Sequence, residues 1–216
     1  MNFRKLFQPD PEKYSVSRIE ALSDGVFSIT MTLLILSVQV PPLSPDDKTT
    51  IHKLLQVLPV LENYFISFIV LGLFWVRHQM QFREIRTSDR NLMWINIFFL
   101  MFVAIIPFTT SMMVEYSNNH ISIQVYCFNL IILGVILIIH WEYAIRNHRL
   151  IDDNLNLKEL RSITKVQILT PAMFFFTAVL AFFDITVAKM SLYVLPLISA
   201  ISIKTYRRIR RKHISE

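Results

Sequence analysis

The sequence predicts an all-α integral membrane protein built as a bundle of six transmembrane helices. Three observations carry that expectation. The 216 residues are 53% hydrophobic, and the mean hydropathy of +0.45 is that of a polytopic membrane protein rather than a soluble domain. Several apolar stretches are each long enough to cross about 30 Å of hydrocarbon. Arg and Lys gather in alternate connections, as the positive-inside rule requires of a multi-pass chain.

The stretch Ser17 to Pro41 organises the rest. Ser17 and Glu20 have the S-x-x-E spacing of a capping box, so the first helix should start near Arg18. No charged residue occurs from Gly25 to Pro45. Pro41 and Pro42 should end the helix near Val40, since proline lacks the N–H and clashes with the preceding turn. Ile29, Leu33, Leu36 and Val40 recur at helical spacing and share one face, with Thr32 at its edge.

The remaining elements follow in order. Residues 1–16 form a short arm with Arg4, Lys5 and Lys13. No apolar core of a signal peptide precedes helix one, which should itself direct insertion. The prolines of 41–50 mark a loop. Helix two is expected over Ile51 to Gln79, interrupted at Glu62. Arg83, Arg86 and Arg90 form a basic loop. Helix three, Asn91 to Val114, and helix four, Tyr116 to Trp141, carry no Asp, Glu, Lys or Arg. A second basic connection holds Arg146, Arg149, Lys158, Arg161 and Lys165. Helix five is expected over Ser162 to Phe183 and helix six over Val187 to Tyr206, before the basic tail 207–216. No internal repeat and no attached soluble domain is visible, so residues 17–206 read as one unit.

Six spans place both termini on one side, together with the arm, both Arg-rich loops and the tail. That asymmetry predicts cytoplasmic termini in a plasma-membrane protein. It also accounts for the net charge of +6 without nucleic acid, the tail being free to touch anionic lipid. Cys127 stands alone and forms no intrachain disulfide. No H-E-x-x-H, Walker loop, G-x-S-x-G or cysteine pair occurs, so neither enzyme chemistry nor a cofactor is expected.

Arg18-Ile-Glu-Ala-Leu-Ser-Asp24 resembles the R-x-x-x-F-S-D signature that opens the first helix of the transmembrane protein 175 family, the lysosomal potassium channels and their prokaryotic relatives. Leu22 replaces the phenylalanine and should keep an apolar packing residue beside Ser23 and Asp24. Trp75-Val-Arg-His78, Phe82-Arg83 and the stretch from Asp89 to Pro107, with Trp94 and Asn96, resemble the next two helices of that family. The similarity spans residues 15 to about 112.

The resemblance implies a homotetramer closed around helix one, passing potassium with modest selectivity. From the residues alone, the Ile29, Leu33 and Leu36 stripe would as readily face lipid or a neighbouring helix. The resemblance makes these side chains stacked apolar rings in a pore, with Thr32 adding hydroxyls. From the residues alone, Asp24 could be an interfacial carboxylate favoured by the helix dipole. The resemblance favours a structural network of Arg18, Ser23, Asp24 and His78 that holds helix one in place. Glu62 and Asn63 read as residues of the outward interface, and His140 and Trp141 as the cytoplasmic interface end of helix four. A secondary transporter or proton-coupled cation carrier is the alternative. Pro59, Pro107, Pro171 and Pro196 interrupt helices as such folds require, but the paired halves are missing.

Overall fold

Among the described residues, five stretches are long and apolar enough to cross a membrane: Val16–Ser37, Leu58–Phe82, Arg90–Glu115, His120–His148 and Leu160–Leu180. The computed structural model describes residues 14–39, 50–55, 57–194 and 204. The protein is an all-α membrane protein. Helix α1 covers Val16–Leu33 and tightens into a 3₁₀ turn at Leu34–Ser37. A short α2, Thr50–Leu55, precedes α3, Leu58–Phe82, and α4, Arg90–Glu115. Helix α5 covers His120–Ile145; α6 and α7 cover Leu157–Gln167 and Leu169–Leu180; α8 covers Ile185–Leu192.

Helix α5 is apolar all round, which fits a buried element, and it packs against α4, α6 and α7. At Gly134 a Cβ would lie 3.2 Å from the Pro171 ring, so glycine lets α5 and α7 approach closely. Helix α1 lies against α3 and α4 at one side of the bundle. Phe27 and Leu34 enter the core beside Leu71, Phe74 and Phe99.

The sequence-based boundaries shift at three places, each with a local cause. Ser17 caps nothing: the helix starts at Val16, Ser15 is the N-cap with extended φ/ψ, and no side chain caps the amides. Tyr14 is paired with Ser88 through Tyr14 N to Ser88 O at 2.7 Å, so the extended chain ends just ahead of Ser15. Helix α1 loses α geometry at Leu33, well short of Val40. There Ser37 Oγ donates to Leu34 O at 2.7 Å, while Val38 N turns to Ile35 O at 3.0 Å. A side-chain hydroxyl thus competes for the carbonyl that the next α turn would use. The expected fifth helix starts earlier and divides at Ile168, where Pro171 cannot donate to Gln167 O. The sixth expected helix matches α8 only over Val187 to Leu192, with a turn at Tyr193 and Val194; apart from Lys204, residues 195–216 and the arm up to residue 13 lie outside the described residues.

One end of the bundle gathers the described basic connections. Arg86 N donates to Leu150 O at 2.8 Å, and Ile85 pairs with Ile151. Together with the Tyr14–Ser88 bridge, this brings the start of α1, the 83–90 loop and the 146–156 loop together. Asp89 joins them: it caps α4 by accepting from Leu92 N at 2.9 Å, and it accepts from Tyr143 OH at 2.7 Å and Arg149 Nε at 3.0 Å. The Arg149 guanidinium lies over the Tyr143 ring, 4.8 Å from its centroid.

Asp89→Ala should therefore cost roughly 2 kcal/mol, by losing an N-cap and the bonds from the part-buried Tyr143 and Arg149. Asp89→Asn, which keeps a capping oxygen, should cost less. Thermal unfolding of both variants in detergent checks the order.

Candidate pore helix and its buried support

Helix α1 has two faces. Ile19, Ser23, Phe27, Thr30 and Leu34 are buried, at spacings of four, four, three and four residues. At about 100° per residue, Thr32 lies about 180° from the centre of that buried arc. The predicted stripe is on the uncovered side: Ile29 is 62%, Leu33 43% and Leu36 70% exposed in the single subunit. Thr32 is exposed too, and its Oγ1 donates to Ile29 O at 2.8 Å. With its proton held by the helix, the hydroxyl presents acceptor lone pairs outward. Ile35, off the stripe, is also exposed, at 47%, so exposure alone does not single the stripe out.

The buried face of α1 is held by polar groups. Ser23 Oγ donates to Ile19 O at 2.8 Å and accepts from Asn96 Nδ2 of α4 at 3.1 Å. Asn96 Oδ1 pairs at 2.8 Å with His78 Nε2 of α3, which must be the donor because a carbonyl only accepts. All three side chains are buried. The His78 ring lies parallel to Phe99 with centroids 5.3 Å apart, and it contacts Phe82 at 4.5 Å. An amide thus joins three helices inside apolar packing, where a buried polar group needs a partner.

The expected network of Arg18, Ser23, Asp24 and His78 is divided. Ser23 and His78 belong to one buried chain through Asn96. Asp24 is exposed and accepts from Trp75 Nε1 at 2.8 Å and from Gln79 Nε2, both on α3. Arg18 is exposed, and among the described residues it takes part in neither set. One helical step separates the two: Ser23 points into the bundle and Asp24 along its surface. Leu22 is exposed, so its packing within the subunit does not orient Ser23 and Asp24, contrary to expectation. Arg77 is buried and donates to Thr170 of α7, away from Asp24.

His140 and Trp141 do not face outward from the bundle. Both are buried. His140 Nδ1 donates to Gln81 Oε1 at 2.8 Å, and Gln81 Nε2 reaches Leu137 O at 2.9 Å. Helix α5 continues four residues past Trp141 to Ile145, and α6 docks over Trp141, whose Nε1 lies 3.4 Å from Leu160 O. Asn63 is buried, whereas Glu62 is exposed and accepts from Tyr193 OH. Asn96 and Gln79 received no role from sequence alone. An amide inside an otherwise apolar helix was the available signal for Asn96, since it must find a partner. Gln79 carried none. Among the described residues no group of three or more His, Cys, Asp or Glu could hold a metal ion.

A helix with an uncovered apolar stripe, braced from behind by a buried amide, is a form suited to an oligomeric channel in which each subunit contributes one wall. Residues 18–107 match the family described as "Endosomal/lysosomal potassium channel TMEM175". A potassium channel of Streptomyces collinus is 34% identical over 149 residues, covering 67% of this chain and 72% of that protein. A potassium channel of Chamaesiphon minutus is 27% identical over 195 residues, covering 88% and 96%. The crystal structure of a lysosomal potassium-selective channel TMEM175 homolog from Chamaesiphon minutus superposes with a TM-score of 0.76 at 26% identity, covering 86% of this chain and 96% of that one. The chain belongs to the TMEM175 family, a family of ion channels and not of enzymes.

Asn96→Ala should cost about 1–3 kcal/mol, because it strands His78 Nε2 in the core. Asp24→Ala should cost less, since its partners reach solvent or lipid headgroups. Thermal unfolding measured side by side orders the two; an equal or larger loss for Asp24→Ala would contradict the division of the network.

Proposed function

We propose that the protein is a potassium channel whose pore is walled by α1 from each of four subunits. Membership of the family and the identity to two potassium channels support the activity. The single observation that supports α1 as the wall is the broad apolar face that the subunit leaves uncovered; the choice of Ile29, Leu33 and Leu36 within that face rests on their shared helical spacing. Four copies related by a rotation axis would close that face against itself. Ile29, Leu33 and Leu36 then form three apolar rings about 6 Å apart, from four α steps and then three 3₁₀ steps. Rings of that kind resist wetting, so the narrowest controls flux. Thr32 places hydroxyl oxygens beside them, where they replace part of an ion's hydration shell. Selection by side chains, without a filter of backbone carbonyls, gives modest preference for potassium over sodium.

The network behind α1 is structural in this reading. Ser23, Asn96 and His78 set its rotation, and Asp24 with Trp75 and Gln79 sets its tilt against α3. The chain crosses the membrane six times, the sixth span continuing α8. The end holding the Arg-rich loops faces the cytoplasm, since Arg and Lys are retained there, and both termini share that side. Cysteines introduced at positions 5 and 210 should stay unlabelled by impermeant reagents applied to intact cells. Labelling of either would overturn the orientation.

Flux in liposomes under paired potassium and sodium gradients tests the activity: potassium should pass down its gradient without a coupled ion. Ile29→Ser should raise conductance by easing hydration of a ring. Thr32→Ala should lower the potassium preference while flux persists. Ile35→Ser is the comparison and should be nearly silent. An effect at Ile35 as large as at Ile29 would show that α1 does not line the pore in this register.

A further inference from the structure

At the end of the bundle opposite the Arg-rich loops, a cavity of about 340 Å3 lies where the 3₁₀ turn of α1 meets the end of α4. Its wall includes Leu36, Ser37, Gln39, Ser111, Glu115 and Tyr116. Ser37 Oγ donates to Leu34 O at 2.7 Å and Ser111 Oγ donates to Pro107 O at 3.0 Å. Both hydroxyl protons are therefore held by their own helices, and the free capacity of these groups is acceptor oxygen. Helix α4 ends at Glu115, so its last carbonyls and the negative end of its dipole lie here too. No Lys or Arg lines the cavity.

The other described carboxylates at this end are engaged. Glu62 accepts from Tyr193 OH. Asp184 caps α8, accepting from Thr186 N at 2.7 Å and Val187 N at 3.1 Å. Glu115 is exposed and has no ion-pair or hydrogen-bond partner among the described residues. It shares its cavity with Leu36, the last side chain of the proposed pore stripe.

We infer that this cavity is an entrance site for the permeating ion, in which the Glu115 carboxylate of each subunit draws a hydrated monovalent cation to the mouth beside Leu36. One full charge among neutral oxygens suits an ion that keeps most of its water; a calcium-type site collects six to eight oxygens, several of them carboxylate. A ring of such carboxylates raises the local cation concentration and the rate of entry without narrowing the path. The inference rests on the pore reading above, and its test separates the two.

Glu115→Gln and Ile29→Ser are compared with the parent protein in planar bilayers, with potassium chloride as the only salt. Glu115→Gln should lower the current entering from this end about two- to three-fold at about 0.01 M salt, where the Debye length is about 30 Å. The difference should vanish at about 1 M, where that length is about 3 Å. Equal currents at both salts, or a loss independent of salt, overturn the entrance site. In either case an increased conductance in Ile29→Ser leaves the pore reading standing, whereas a silent Ile29→Ser removes that reading itself. Glu115→Cys guards against a folding defect. Attaching a sulfonate-bearing thiol reagent should restore low-salt current in channels already assembled, and a trimethylammonium reagent should depress it further. Cys127, the natural cysteine, is buried. No change with either reagent also overturns the entrance site.

Discussion

The rest of the structure depends on one amide. Asn96 gives a hydrogen to Ser23 and takes one from His78, so α1, α3 and α4 are joined at a single buried point. In a bilayer the hydrophobic effect supplies little force between helices, because lipid tails are as apolar as leucine side chains. Geometry then falls to close packing and to directional hydrogen bonds between buried polar groups. A slide of α1 by one residue would put Phe27 and Ser23 out of register with Phe99 and Asn96 and leave the amide unmatched. The rotation of α1 about its own axis, which decides which side chains it presents outward, is therefore set from behind.

A second fixed point lies at the basic end. Asp89 holds the start of α4, the hydroxyl of Tyr143 on α5 and the guanidinium of Arg149. The Tyr14–Ser88 pairing ties the start of α1 to the same place. The first helix is thus positioned at its base by backbone pairing and a third of the way along by the amide. Its far end is tied by packing of Leu34 and has no such polar anchor among the described residues.

Much of this was legible in the sequence. Long uncharged runs gave the spans, because a membrane admits little else. The periodicity of Ile29, Leu33 and Leu36 placed them on one face, and the structure leaves that face open. The partners of Ser23 and Asp24 were less legible. Adjacent residues of a helix diverge by about 100°, so a motif contiguous in sequence feeds two separate sets of contacts. Arg18 was grouped with Asp24 through the family resemblance, yet Trp75 and Gln79 reach the carboxylate from α3. His140 looked like an interface residue because it ended an apolar run. Its partners are Gln81, His78 and Phe82 of α3, while the neighbouring Trp141 is covered by Leu160 and Ile163 of α6, which docks on the end of α5. Helix boundaries failed where a single hydroxyl or an imide nitrogen changed the hydrogen-bond ladder, at Ser37 and Pro171.

The 3₁₀ turn at Leu34–Ser37 has a geometric consequence for Leu36. In α geometry a step of three residues leaves the second side chain about 60° behind the first, whereas in 3₁₀ geometry the two eclipse. Leu36 consequently stands in line with Leu33 instead of being displaced around the axis. Four residues of tightened pitch thus set the angular position of Leu36. Relaxing them toward α geometry would swing Leu36 by that angle and draw it about 1.5 Å toward Leu33, with every other helix at rest. In the proposed pore the aperture at that level would follow helical pitch, adjustable without rearranging the bundle.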